Sequence, residues 1–484
     1  MWQSGLNTDL YELTMMQGYL LHQVNPQVAF DMFFRRQPYD GGFSVFAGLD
    51  DLLDVLDGIR FSPEDIAFLE SQGIFKKPFL DYLRDFRFRG DVYAVDEGTL
   101  VFPNEPLVRV HGSLIECQLI ESLLLNVVNF QTLVATKAAR IYAAAEGRGV
   151  LEFGLRRAQG FDGAKSATRA AYIGGCSATS NTLAGKLYDI PVKGTMAHSW
   201  VMAFEDEREA FEKFADMYPD SAVLLIDTYD TLGSGIENAI PVGRRLKNEG
   251  KGFGVRLDSG DLHYLSQEIR RRLDEAGLTD ATIVASNELN EEIIHQLVTD
   301  GAPIDLWGVG THLVTGGNDA SLTGVYKLAA KEVAGDMVPT LKVSNNPEKT
   351  TNPAVKQVHR FFDGEDRPLA DLICLEEEEL ETGGAYTFYH PSIEYGHFKM
   401  RDYAEIRPLL TKKMESGSRT TEKVPLKQIR ERALEGIAKL SHSYTRIINP
   451  HIYKVSLSRR LRDMKFRMVN EYTNNDVNGN GAHT

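Results

Sequence analysis

Residues 252–311 read GFGVRLDSGDLHYLSQEIRRRLDEAGLTDATIVASNELNEEIIHQLVTDGAPIDLWGVGT, and this stretch decides the fold. GFGVRLDSGD (252–261), ATIVASN (281–287) and IDLWGVGT (304–311) are short apolar runs that end in polar or glycine residues. Between them, LHYLSQEIRRRLDEAG (262–277) and NEEIIHQLVTDG (290–301) have helical patterning. Strand alternating with helix predicts a parallel sheet, since a crossover must carry the chain back before the next parallel strand starts. Upstream, VLEFG (150–154), PVKGT (191–195) and AVLLIDTYD (222–230) repeat the pattern, with EREAFEKFADMY (207–218) as a further helix. Six or seven such units in sequence predict a (β/α) barrel. The chemistry-bearing residues collect just after each strand, the end at which such barrels carry their active sites.

The flanks look different. GLDDLLDVLDGI (48–59) predicts an amphipathic helix, VAFDMFFRR (28–36) a strand, and DVYAVDEGTLVFPNEPLVRVHG (91–112) short antiparallel strands. EEEELE (376–381) reads as a solvated acidic loop or edge, and NNDVNGNGAHT has the composition of a disordered tail. The 484 residues carry 53 Lys+Arg against 68 Asp+Glu, a formal charge of −15. That balance argues against a nucleic-acid partner, which needs a basic surface. The apolar stretch Leu119–Phe130 contains Glu121, Asn126 and Asn129 and is too short to span a bilayer. Cys117, Cys176 and Cys374 are few and widely spaced, so neither a disulfide framework nor a zinc knuckle is expected. No signal peptide is visible in MWQSGLNTDLYELTMMQ, and the expected setting is reducing and cytoplasmic.

Each motif admits two readings. In RLDSGD (256–261), alternation sends Arg256 and Asp258 to one face, either as an anion and hydroxyl clamp or as a structural pair. GVGTHLVTGG (308–317) offers backbone N–H groups to a phosphate or is a tight turn, and Ser286-Asn287 could be a turn and cap. Arg156 and Arg157, in EFGLRRAQGFDG (152–163), make a local positive pocket or a solvated pair. Thr195 and His198 follow PVK in GTMAHSW (194–200); a lone histidine is more often structural than catalytic, and the strand-end position raises the odds of a working one.

Taken together and in order, these blocks resemble the nicotinate phosphoribosyltransferase family. TDLYELTMMQGY (8–19), FFRRQPYDGGFSVFAGL (33–49), NFQTLVATKAAR (129–140), DTYDT (227–231), ASNELNE (285–291) and GVYKL (324–328) extend the likeness over roughly residues 5–460. The resemblance implies an α/β fold: an irregular, incomplete (β/α) barrel with a flanking α/β domain built from N- and C-terminal segments. On this reading 1–125 is the N-terminal domain, 126–335 the barrel and 336–472 a segment returning to the flanking domain. Residues 473–484 are left as a disordered tail.

The resemblance also implies chemistry: nicotinate and 5-phosphoribosyl-1-diphosphate give nicotinate mononucleotide and diphosphate, coupled to ATP hydrolysis through a phosphohistidine at His198. Tyr11, lent by the neighbouring subunit of a homodimer, Thr195 and Arg256 would bind nicotinate, with Phe153 stacking on the ring. Arg157 goes to phosphoribosyl diphosphate or to the nicotinate carboxylate. Asp258 would hold ribose hydroxyls or Mg²⁺, and Ser286, Asn287, Gly310 and Thr311 the 5′-phosphate; His312 has no role. The alternatives are a nicotinamide or quinolinate phosphoribosyltransferase and, more remotely, a Schiff-base lyase using Lys193.

Overall fold

The computed structural model describes residues 3–479 apart from 345, 347, 348 and 394, with no side chains described for 474–479. The chain divides into two units: residues 1–132, 321–425 and 435–484, and residues 133–320 with 426–434. Of the expected tail, residues 480–484 lie outside the described residues, and the helix Arg459–Gly479 runs up to them.

The second unit carries six parallel strands: β1 (Gly149–Glu152), β2 (Ala178–Thr179), β3 (Ala222–Leu225), β4 (Phe253–Leu257), β5 (Thr282–Ala285) and β6 (Leu306–Val309). They pair in the order β2-β1-β6-β5-β4-β3, so the ladder follows a barrel but stays open between β2 and β3. PVKGT does not become a strand there. It keeps one parallel bridge, Thr179 to Val192, because Pro191 lacks an N–H and the run extends no further pairing. The sheet is curled rather than closed, an incomplete barrel. Val255, Ile283, Trp307 and Val309 are fully buried, and each such side chain contributes roughly 1.5–3 kcal/mol by leaving water.

Helix starts on the crossovers are set by side-chain caps. Asp261 accepts from the Tyr264 N–H at 3.1 Å and starts Leu262–Glu275, while Asn290 accepts from Ile293 N–H at 2.8 Å and starts Glu291–Thr299. Asp261 is therefore occupied as a cap.

The first unit holds an antiparallel seven-stranded sheet centred on Gln27–Phe34, which pairs with Gly324–Val333 on one side and Val108–Ser113 on the other. A six-stranded sheet is built around Lys356–Phe362 and Pro368–Leu375. The amphipathic helix spans Leu49–Gly58, with Leu52, Leu53 and Leu56 inward. EEEELE is more than a solvated edge: Glu376 takes the buried Arg109 guanidinium at 2.5 Å, and Glu378 accepts from Ser458 Oγ at 2.6 Å. The three cysteines are buried and unpaired. Among the described residues, no helix is long and apolar enough to cross a membrane.

Candidate active site

Arg256 is the centre of the cluster at the C-terminal ends of the strands. From β4 its Nε donates to Ser286 Oγ at 2.8 Å, its Nη1 to Thr195 Oγ1 at 3.1 Å and its Nη2 to Asp258 Oδ1 at 2.9 Å. Nη1 also lies 3.4 Å from the Met196 carbonyl. Ser286 Oγ donates to the same Asp258 oxygen. Alternation along β4 thus brings Arg256 and Asp258 together as expected, and the two are only 11% and 27% exposed.

The Phe153 ring lies under this guanidinium, 5.7 Å from ring centroid to Cζ. A Cβ on Gly308 would come within 2.7 Å of that ring, so the first glycine of GVGT is needed for the ring to lie against β6. His198 opens the helix His198–Met202; its Nδ1 is 3.2 Å from Thr228 Oγ1 and its Nε2 3.8 Å from Asp258 Oδ2, with the side chain 42% exposed. Asn287 holds φ at 116°, a backbone conformation seldom tolerated outside glycine and a sign of a constrained turn. Gly310 caps the short helix Thr311–Val314, and Thr311 Oγ1 donates to Glu288 at 3.3 Å.

One expected residue of this unit is not tied into the cluster. Arg157 is exposed on the turn Leu155–Arg157 and, among the described residues, makes no hydrogen bond to it. Tyr11 belongs to the first unit, on the helix Leu10–Leu21, 49% exposed. Its phenol is raised from the ordinary value by burial and by hydrogen bonding to Glu12. Lys193 is exposed, whereas a Schiff-base lysine needs desolvation or a neighbouring cation to become nucleophilic.

Asp227 was missed. It ends the run AVLLID, and its Oδ2 accepts from the Asp258 N–H at 2.9 Å and from Ser259 Oγ at 2.6 Å. Its buried Oδ1 has no donor. Its place at a strand end was the available signal. Two adjacent carboxylates with one free oxygen suit a hard cation, and Mg²⁺ is usually held by one or two carboxylates together with substrate phosphates. Among the described residues no group of three or more potential metal ligands gathers.

The sequence reading also missed a cationic cavity of about 510 Å³ within the first unit, lined by Arg35, Arg36, Lys349, Lys465 and Thr323. Arg35 Nε is buried without an acceptor, and burial together with the Lys356 charge brings Lys465 down to about 8. The lining suits an anion. Its signal was the Arg pair ending FFRR.

Models of the nicotinate phosphoribosyltransferase N-terminal domain, family and C-terminal domain match residues 6–129, 149–366 and 355–465. The nicotinate phosphoribosyltransferase of Bacillus subtilis is 42% identical over 471 residues, covering 96% of this chain and 95% of that protein. The chain belongs to the nicotinate phosphoribosyltransferase family. The human member is 34% identical over 516 residues, 94% of this chain and 95% of its own. The solved human nicotinic acid phosphoribosyltransferase superposes with a TM-score of 0.82 at 31% identity, covering 95% of this chain and 99% of that one. Nicotinate-nucleotide pyrophosphorylase from Pyrococcus furiosus shares the fold, with a TM-score of 0.70 at 23% identity over 90% and 95%.

Proposed function

We propose that this protein joins nicotinate to 5-phosphoribosyl-1-diphosphate, forming nicotinate mononucleotide and diphosphate in NAD salvage, with ATP hydrolysis coupled through a phosphohistidine at His198. The observation that carries the reading is the Arg256 cluster, a cation held by hydroxyls and a carboxylate over an aromatic ring in a member of this family.

The C1–O bond to diphosphate breaks as the pyridine nitrogen forms the C1–N bond. That nitrogen carries its own lone pair, so no general base is required. Positive charge develops at the anomeric carbon, as in glycoside cleavage, and the site's task is to orient the ring and anions against it. Phe153 stacks on the pyridine face while Arg256 and Thr195 hold the carboxylate. Tyr11 completes this pocket from the neighbouring subunit of a cytoplasmic homodimer.

Asp258 takes the ribose hydroxyls. Ser286, Asn287, Gly310 and Thr311 face the 5′-phosphate with turn N–H groups, and Arg157 attracts the diphosphate or the carboxylate from the rim. Asp227 and Asp258 would hold Mg²⁺, whose chemistry is to neutralise the departing diphosphate. His198 is exposed enough to meet a γ-phosphate, with the Thr228 hydroxyl at Nδ1 to orient the ring. A cationic pocket favours a carboxylate over an amide, so nicotinate is preferred to nicotinamide.

The test is product formation from nicotinate, nicotinamide or quinolinate with phosphoribosyl diphosphate and Mg²⁺, with and without ATP. Nicotinate should be used best, and ATP should stimulate the wild type but not His198→Ala. Comparable kcat/KM for nicotinamide removes the specificity claim, and full ATP stimulation in H198A removes the phosphohistidine.

A further inference from the structure

Glu152 ends β1 and is 1% exposed. Its carboxylate gathers donors from three places in the chain. Oε1 accepts from the Gly154 N–H, and Oε2 accepts from Thr179 Oγ1 at 2.5 Å and from Thr168 Oγ1 at 3.0 Å, whose proton also has the Ala164 carbonyl at 2.9 Å. Thr168 lies on the helix Gly160–Ile173 and Thr179 on β2. Asn181 closes the network, its N–H on Thr179 Oγ1 at 2.9 Å and its Nδ2 on Thr168 Oγ1 at 3.2 Å. A buried carboxylate satisfied by neutral donors is costly unless all are in place, so this group is tightly oriented.

The residue between the two ends of this arrangement is Phe153. Its own N–H donates to the Val309 carbonyl at 2.8 Å, and the next N–H, that of Gly154, is held by Glu152. Phe153 is thus pinned on both sides, while Gly308 and the Arg256 guanidinium bound its ring. We propose that Glu152 is the positioning residue that sets the Phe153 ring for the pyridine substrate, acting through the Gly154 N–H and the Thr168 and Thr179 hydroxyls. This rests on the reading of Phe153 as the ring platform.

Glutamine is the informative replacement because it keeps the shape and loses an acceptor. With its oxygen toward Gly154, its amide meets two hydroxyls and leaves the Thr179 proton without an acceptor; flipped, it opposes N–H to N–H. Glu152→Gln should raise the KM for nicotinate about tenfold while the KM for phosphoribosyl diphosphate stays within about twofold, with a lowered thermal midpoint from the lost hydrogen bond but a protein still folded at the assay temperature. Thr179→Val should raise it about threefold. Phe153→Ala serves as the reference. A nicotinate KM within about twofold of wild type in E152Q, beside a raised one in F153A, overturns the inference. An unchanged KM in F153A overturns the platform reading itself. If E152Q does not fold, T179V and Thr168→Val carry the test, and an unchanged nicotinate KM in both overturns it.

Discussion

Two arginine–aspartate pairs in this chain use the same groups and differ in what surrounds them. Arg360 and Asp371 sit opposite each other on adjacent strands and bond bidentately at 2.8 and 2.7 Å. The remaining guanidinium nitrogen donates to the Leu100 carbonyl, Tyr453 donates its hydroxyl to Asp371, and the Phe102 and Tyr453 rings flank the cation. The pair is sealed, 5% and 0% exposed. Beside it, burial and the Asp371 charge raise the Glu105 carboxyl well above its ordinary value. Arg256, on β4, and Asp258, just past its end, share a single bond, and their other partners include the hydroxyls of Thr195 and Ser286. Both pairs have a backbone carbonyl and a ring beside the cation, but the Met196 carbonyl stands 3.4 Å from Arg256, and the two hydroxyls there can turn to a ligand at little cost. The first arrangement fastens a fold, and under the proposed function the second turns to a substrate.

The largest expected effect follows from the seal. Asp371→Ala takes the bidentate carboxylate from a buried guanidinium, leaving it only Glu105 at 3.8 Å, and should cost about 3–5 kcal/mol, read as a lowered urea midpoint. If D371A unfolds within about 1 kcal/mol of wild type, the pair is not the fastening described.

The open pair should fail in the opposite way. Arg256→Lys keeps the charge but loses the fork that reaches Ser286, Thr195 and Asp258 together. It should lower kcat/KM about a hundredfold, roughly 2.7 kcal/mol of transition-state stabilisation, with stability within about 1 kcal/mol of wild type. A large loss of stability with activity retained per folded molecule would exchange the roles of the two arginines.

The contrast also explains what could be read from the sequence. RLDSGD showed that Arg256 and Asp258 share a face, because a two-residue period is local, but it could not say whether that face was sealed. The strand–helix alternation of 252–311 was legible for the same reason. PVKGT was not, since its composition resembles a strand while Pro191 and one bridge limit its pairing. Glu152 was invisible as a functional group because its hydroxyl partners lie 16 and 27 residues away. Arg109 and Glu376, 267 residues apart, hid in the same way, which is why EEEELE read as a solvated edge.

The smallest expected effect compares two histidines on the same principle. His359, next to Arg360, is lowered from 6.5 to about 4 by burial, and its Nδ1 has no partner. His198 is 42% exposed with a hydroxyl at Nδ1. A histidine kept neutral in the fold binds fewer protons there than when unfolded between about pH 4 and 6.5. Stability therefore rises with pH across that window and is lost as pH falls through it. His359→Leu should remove about 1–2 kcal/mol of that acid loss, seen as urea midpoints that fall less between pH 7 and 5 than in wild type. His111, also lowered to about 4 by burial and by Arg109, keeps a residual dependence in the variant. His198→Ala should instead remove the ATP stimulation expected of the site. If the urea midpoint of H359L falls between pH 7 and 5 as far as that of wild type, the acid sensitivity does not come from the buried His359 ring.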